Sequence, residues 1–531
     1  MKSKIAFILV LLSAFFIRIF SINWDQGFHL HPDERMLIMV AEKINFFKNL
    51  NPDFFNYGSL PIYLLKGSSQ LIDFIFNKNL SNYAGMLIVG RNLSVFFDLI
   101  TICLIYKIGQ LLFKVNKIAL FSCLLYAIAF FPIQNSHFFV VDVFLNTFIT
   151  GLIYTLLVYF KSPSIKKIIV LSFIFAAMLA TKFTAIIFLP IILGVIVFKT
   201  MKPPFAKATV GKQLSNLIIS LITFSFSLLI FYFLFMPFAF IERAKFISDI
   251  KAQLRMNSDP YIFPYTLQYV GTLPYLYYLK NIFLWGLGPV ISILSIIGLY
   301  KIPKRKNILF LIFYFLYFLV IGRSSVKFMR YMLPLYPFFT LLAGYGLYKL
   351  YELYKLLAYA LVMFALLWSL MFLNIYSFPH TRIAATDWIL KNIPEGSTLA
   401  VEHWDDGMPI YGGEKYLHQE LTLYDQPDND IKWQTLNEKL KKSDYIIIAS
   451  NRLYIPLQKL SDCQKYKACY PLTAQYYQKL FSEKLGFKKV SEFSAYPGFR
   501  ISNFKFHIND DLADESFTVY DHPKILIFKR K

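Results

Sequence analysis

The chain of 531 residues is 56% hydrophobic and 18% aromatic, and only 16% of its residues are charged, where a soluble domain carries about 25%. That composition excludes an ordinary soluble enzyme, a collagen, a coiled coil and an intrinsically disordered chain, and points to an integral membrane protein. The formal charge of +23 is uneven: residues 378–531 hold 21 Lys or Arg against 20 Asp or Glu, leaving 34 basic and 12 acidic residues before them, a pattern of membrane loops meeting anionic lipid and not of a nucleic-acid groove.

In chain order, Met1-Lys2-Ser3-Lys4 and an apolar run to Ile22 lack a small-residue cleavage site and contain Arg18, so they read as an uncleaved first helix. Apolar stretches near the spanning length of about 20 residues occur around 5–22, 90–113, 117–133, 138–160, 168–181, 183–199, 213–239, 280–300, 307–321, 331–348 and 356–376, which makes eleven candidate spans. The connectors Lys114 to Lys117, Lys161 to Lys167, Lys199 to Lys212, Lys301 to Lys306 and Lys349 to Lys355, with the N-terminus, hold 17 basic residues and one acid, Glu352. Positive-inside placement puts all of them in the cytoplasm. Residues 23–85, 241–279 and the tail from Phe378 then lie outside. The first of these is rich in Trp, Phe, Pro and Leu, and is expected to hold interfacial helices, part of it re-entrant. The domains expected are 1–377, membrane-embedded, and 378–531, an extracytoplasmic α/β or mixed domain with strand-like runs at Tyr445–Ile448 and Ile525–Phe528 and a helix near Thr386 to Lys391. Cys103 and Cys123 fall in apolar runs, whereas Cys463 and Cys469 could pair or stay as two free thiols.

Ionisable groups in or beside spans are costly, and they mark the places to look for function. After the first helix comes Trp24-Asp25-Gln26-Gly27-Phe28-His29-Leu30-His31-Pro32-Asp33-Glu34-Arg35. Pro32 suits the first turn of a helix, where Asp33 and Glu34 are stabilised by free N–H groups. Three readings stay open: a capped interfacial helix, a divalent-metal site using His29, His31 and Glu34 or Asp33, and a carboxylate base that takes a proton from a hydroxyl. A second cluster, Gln134 to Asp142, puts Asp142 one or two turns into the fourth span, where Arg91 or His137 could satisfy it. A third places Lys182 at the outer turn Ala180-Thr181-Lys182, and a fourth places Arg330 and Tyr331 at the outer start of the tenth span. Cations at outer ends run against positive-inside placement. Each alone could snorkel to headgroups, but with carboxylates nearby they suggest a phosphate site.

The assembled pattern resembles the GT-C glycosyltransferases, in particular the family 39 and family 83 group, which includes protein O-mannosyltransferases and lipid A aminoarabinose transferases. The resemblance rests on Pro32-Asp33-Glu34-Arg35, on Phe138 to Phe144 around Asp142, on Leu179-Ala180-Thr181-Lys182, and on Arg330-Tyr331 with Pro334 and Pro337. It implies a polytopic helical fold and an inverting transfer of sugar from a polyprenyl-phosphate donor to a hydroxyl of a lipid, glycan or protein at the extracytoplasmic face of the plasma (inner) membrane. It also implies Asp33 as base, Glu34 as its helper, Asp142 as a group that orients the acceptor, keeps Lys182 placed or serves as a second base, and Lys182, Arg330 and Tyr331 at the donor phosphate. His31, Arg35, Arg91 and His137 are further cavity candidates. No cofactor is required on this reading, and a bound divalent ion stays open. The rival expectation is a transporter or flippase of lipid-linked glycans, which would carry internal repeats and broken spans at the midplane; the suspect residues here gather at one face.

Overall fold

The computed structural model describes residues 2–201, 210–303, 307–501 and 504–531. Parts of two basic connectors, 202–209 and 304–306, lie outside the described residues. The chain divides into two compact units. The first comprises Met1–Ile22, His31–Arg255 and Pro274–Ser369; the second comprises Asn23–Leu30, Met256–Leu273 and Leu370–Lys531. The second therefore draws on two segments that the sequence reading assigned to the membrane part.

The first unit is helical. Among the described residues five helices are long and apolar enough to cross a membrane: Tyr83–Phe113, Val141–Lys161, Phe183–Thr200, Gln213–Phe235 and the stretch Lys355–Asn392, regular over Lys355–Leu373. Asn116–Ala127 and Phe130–Ser136, bent by 58°, make a sixth if counted together. The eleven expected spans are thus not eleven long apolar helices. Several are shortened or broken where the chain cannot continue a helical ladder. Gly288–Lys301 starts after a π-helical turn and carries Pro289, and Tyr336–Leu353 follows a 3-10 turn containing Pro334. The first outer segment contains two helices, Pro32–Glu42 and Ser59–Phe76.

Small residues let these helices approach closely, as membrane bundles require. Helices Gly288–Lys301 and Tyr336–Leu353 pack together. A Cβ on Gly298 would lie 1.9 Å from the Leu342 carbonyl oxygen, and one on Gly346 would lie 2.3 Å from that of Leu294. Arg18 is buried with its charge paired. Its Nε donates to Asp98 at 2.6 Å, its Nη1 donates to the Ala127 carbonyl at 3.0 Å, and Tyr126 donates to the other Asp98 oxygen at 2.6 Å.

The second unit is a three-layer α/β domain. Its strands are β1 (Thr398–Glu402), β2 (Leu417–Leu421), β3 (Tyr445–Ile448), β4 (Phe487–Phe493), β5 (Gly498–Ile501), β6 (Phe504–His507) and β7 (Ile525–Arg530). The main sheet runs β2-β1-β3-β7-β4, with β1 parallel to β2 and β3, and β7 antiparallel to β3 and β4. The two apolar runs read from the sequence are the paired neighbours β3 and β7. They are continuous because both faces are covered. Ile446, Ile448, Leu526 and Phe528 join one cluster with Leu436, Leu440, Tyr477 and Leu480, while Tyr445, Ile447, Ile525 and Ile527 join another with Ala385 and Ile389. Leu267 and Val270 belong to the first cluster. Cys463 and Cys469 form a disulfide.

Glu402, at the end of β1, is buried and accepts a hydrogen bond from the Tyr477 hydroxyl. Burial raises its pKa to about 8. The folded domain then holds a proton that the unfolded chain releases near pH 4.5, so this contribution to stability is complete below that pH and is lost as pH rises to about 8. The expected slope over that window approaches 1.4 kcal/mol per pH unit. Glu402→Gln should flatten it, measured as hydrogen exchange of β1 and Pro471–Phe481 peptides between pH 5 and 9; an unchanged slope would remove Glu402 as its source.

Candidate active site

The helix Pro32–Glu42 starts at Pro32, and its N-cap is His31, whose Nδ1 accepts from the Glu34 N–H at 3.4 Å. This places Asp33 and Glu34 in the first turn, where their roles separate. Glu34 is fully buried. Its Oε1 accepts from Arg91 Nε at 3.0 Å and from the Phe139 N–H at 2.9 Å, and its Oε2 accepts from Arg91 Nη2 at 2.8 Å. Arg91 also donates from Nη1 to the Ile22 carbonyl at 2.8 Å. The pair ties three segments together: the Asp33 helix, the long helix Tyr83–Phe113 and the stretch that leads into Val141–Lys161.

Asp33 faces a different set of groups. Arg330 Nη2 lies 3.0 Å from Asp33 Oδ2, Arg330 Nε lies 3.7 Å from Asp142 Oδ2, and Lys182 Nζ lies 2.9 Å from Asp142 Oδ1. Two acids and two cations thus alternate in one row. Asp142 is in the first turn of its helix, Val141–Lys161, and not one or two turns inside as the sequence suggested. Its partners are Lys182, one of the roles the resemblance offered, and Arg330, and not the alternatives Arg91 or His137; Arg91 is committed to Glu34, and the His137 ring nitrogens each lie 2.9 Å from the carbonyl oxygens of Ile133 and Phe20. The row is graded in exposure: the Asp33 side chain is 24% exposed, Lys182 15%, Arg330 11% and Asp142 3%. Tyr331 offers its ring to Lys182 at 4.3 Å, and Phe328 lies 4.3 Å from the Arg330 guanidinium. These faces hold the cations by cation–π attraction.

His31 packs against Phe138 at 4.7 Å, and Arg35 is half-buried in the same turn as Asp33. His29 belongs to the second unit. Among the described residues no group of three or more His, Cys, Asp or Glu side chains is placed to hold a metal ion. Glu34 has both oxygens engaged by Arg91.

Two features were missed at the level of sequence. Tyr317 donates to the Tyr331 carbonyl and so fixes the segment that carries Arg330. The loop at Tyr57-Gly58 docks on the Lys182 turn through its backbone, with Gly58 N–H donating to the Thr181 carbonyl at 3.0 Å and Leu60 N–H to the Ala180 carbonyl at 2.9 Å. Gly58 has an ordinary φ of −71°; glycine is required there for space, since a Cβ would sit 1.9 Å from the Ala180 oxygen. Burial, and next the Asp33 carboxylate, push the Tyr57 phenol well above its ordinary pKa. Gly58→Ala should cost about 1–3 kcal/mol through this clash and raise the KM for donor. Faster hydrogen exchange of residues 57–60 and 180–182 would report the loosened loop, and unchanged exchange with unchanged KM would refute the latch.

Residues 85–230, which include Arg91, Asp142 and Lys182, match the family model described as dolichyl-phosphate-mannose-protein mannosyltransferase. The archaeal oligosaccharyltransferase AglB from Archaeoglobus fulgidus, in complex with an inhibitory peptide and a dolichol-phosphate, superposes over 96% of this chain and 74% of its own, with a TM-score of 0.52 at 14% identity. The chain has the GT-C glycosyltransferase fold. The apo form of the Archaeoglobus fulgidus oligosaccharyltransferase gives a TM-score of 0.52 at 13% identity, again over 96% and 74% of the two chains. ArnT from Cupriavidus metallidurans bound to undecaprenyl phosphate covers 99% of this chain and 97% of its own, at 12% identity and a TM-score of 0.46. No curated protein sequence matches. The GT-C fold thus accounts for a helical membrane protein carrying a small sheet domain, as the resemblance had implied.

Proposed function

We propose that this GT-C protein moves a sugar from a polyprenyl-phosphate donor to a hydroxyl of a lipid, glycan or protein acceptor, with inversion, at the extracytoplasmic face of the plasma membrane. The observation that carries the reading is the row Asp33–Arg330–Asp142–Lys182. Asp33, the most exposed of the four, takes the proton of the acceptor hydroxyl as its oxygen attacks the anomeric carbon from the face opposite the phosphate. The bond from that carbon to the phosphate oxygen breaks, its electron pair leaves with the phosphate, and Lys182 and Arg330 neutralise the charge that develops. Asp142 holds both cations in place while the donor is absent. A phosphate entering the site competes with the carboxylates for the same N–H groups. No cofactor takes part in this scheme.

The orientation is supported by charge. Asp142 starts the helix that ends at Lys161, Lys182 follows the helix that begins near Lys166 and Lys167, and Arg330 precedes the helix that ends near Lys349. These three site groups therefore lie at helix ends opposite the lysine-rich ends, which positive-inside placement puts in the cytoplasm.

The test is transfer of radiolabelled sugar from a panel of polyprenyl-phosphate sugars by the purified chain, with and without EDTA, followed by the anomeric configuration of the product. Inverted product from a lipid-phosphate donor, unaffected by EDTA, is expected. Retained configuration, or transfer only from a nucleotide sugar, would sink the scheme.

A further inference from the structure

In the sheet of the second unit, β2 lies on one side of β1 and β3 on the other, so the direction of strand addition reverses between β1 and β3. In an open parallel sheet the loops that leave such strands diverge and open a crevice at their carboxyl ends, where ligands enter. The loop leaving β1 begins His403-Trp404-Asp405-Asp406, and the one leaving β3 runs from Ala449 to Arg452.

Trp404 has φ +78°, a left-handed conformation that a bulky side chain rarely adopts and that persists only when its surroundings impose it. They do so here. Arg452 Nη1 donates to the Trp404 carbonyl at 3.2 Å, and its Nε donates to Glu515 at 2.8 Å. Buried Arg382 bridges Asp405 at 3.0 Å and Asp406 at 2.7 Å, and Ser450 from the neighbouring loop donates to Asp405. All this bonding leaves the indole 41% exposed, whereas Trp433 of the same unit is buried in a core cluster. Phe263 lies 6.3 Å and Tyr424 6.4 Å from the Trp404 ring, and Phe263 stacks on Tyr265 at 5.2 Å. Two partly exposed acids belong to the same strand ends: Asp406, two residues after Trp404 and 23% exposed, and Glu420, 58% exposed and paired with His403, which packs on Trp404 at 5.3 Å.

Aromatic faces next to carboxylates suit a neutral sugar. A pyranose presents a C–H face to a ring and its hydroxyls to acceptor oxygens, whereas an anionic ligand would meet repulsion from the acids. We propose that the crevice at the carboxyl ends of β1 and β3 is a carbohydrate-binding site, with Trp404 as the stacking face and Asp406 and Glu420 accepting hydrogen bonds from sugar hydroxyls. It is built entirely from residues of the second unit. It is also independent of the transfer chemistry assigned to Asp33, since binding can be read without turnover.

The experiment is saturation-transfer NMR on the full chain in a sugar-free detergent, against methyl glycosides and disaccharides of glucose, mannose, galactose and N-acetylglucosamine. Transfer to at least one of these is expected. Its apparent affinity should fall about tenfold in Trp404→Ala, the factor that corresponds to losing one aromatic contact of about 1.4 kcal/mol, and should be largely retained in Trp404→Phe. Glu420→Gln, an exposed change on β2, tests the rim without disturbing folding, and it should weaken binding severalfold. No saturation transfer from the wild-type chain to any of the sugars would overturn the proposal, as would affinities unchanged by both Trp404→Ala and Glu420→Gln.

Discussion

Asp33→Asn is expected to lower the rate of sugar transfer by about 10²–10⁴-fold, the range attributed to a positioned general base. The amide keeps the size of the side chain and an oxygen for Arg330, 3.0 Å away, so the fold and the donor site should persist while the proton acceptor is gone. Asp142→Asn should behave differently. Asp142 is only 3% exposed and holds Lys182 at 2.9 Å, so its loss should show first as a raised KM for donor. Single-turnover rates with a labelled donor separate the two effects. A near wild-type rate in a well-folded Asp33→Asn protein would move the base to Asp142.

Arg91→Met should be among the most destabilising single changes in the helical unit, by about 3–5 kcal/mol, because it leaves the Glu34 carboxylate buried and uncompensated. Adding Glu34→Gln should recover most of that loss, since the amide oxygen can still accept from the Phe139 N–H and no charge is left in the interior. Thermal unfolding of wild type, single and double variants in detergent reads the comparison directly. Equal stability of wild type and Arg91→Met would show that the pair is not what joins these segments. The double variant should still transfer sugar slowly, because Glu34 also fixes the distance between the helices that carry Asp33 and Asp142.

The site was legible in the sequence because lipid makes every ionisable residue conspicuous. Asp33, Asp142, Lys182 and Arg330 stood out one by one, and the structure brings these four together. Their pairing was legible only in part. Asp142 could be read as keeping Lys182 placed, but nothing along the chain says that it also meets Arg330, 188 positions later, because pairing depends on which helix ends meet. Asp98 was passed over inside an apolar run, although Arg18 showed that a partner was needed. The same contrast holds in the tail. Strands β3 and β7 announce themselves as unbroken apolar runs because helices cover both faces, while the edge strand β2, Leu417–Leu421, with its exposed polar residues, carries no such signal. Gly58 could be seen only as one residue of an aromatic-rich loop, since the carbonyl it makes room for is far away in sequence.

The second unit takes its material from three separated lengths of chain, and Leu267 and Val270 from the middle one fill its main cluster. A fragment beginning at Phe378 would lack two of its own core side chains and leave their apolar neighbours wet. The sheet domain is therefore not a cartridge that can be cut out or grafted at one peptide bond. Any chimera that exchanges it between chains has to carry residues 23–30 and 256–273 along with the tail, and a family that diversified this domain would have had to vary all three lengths in step.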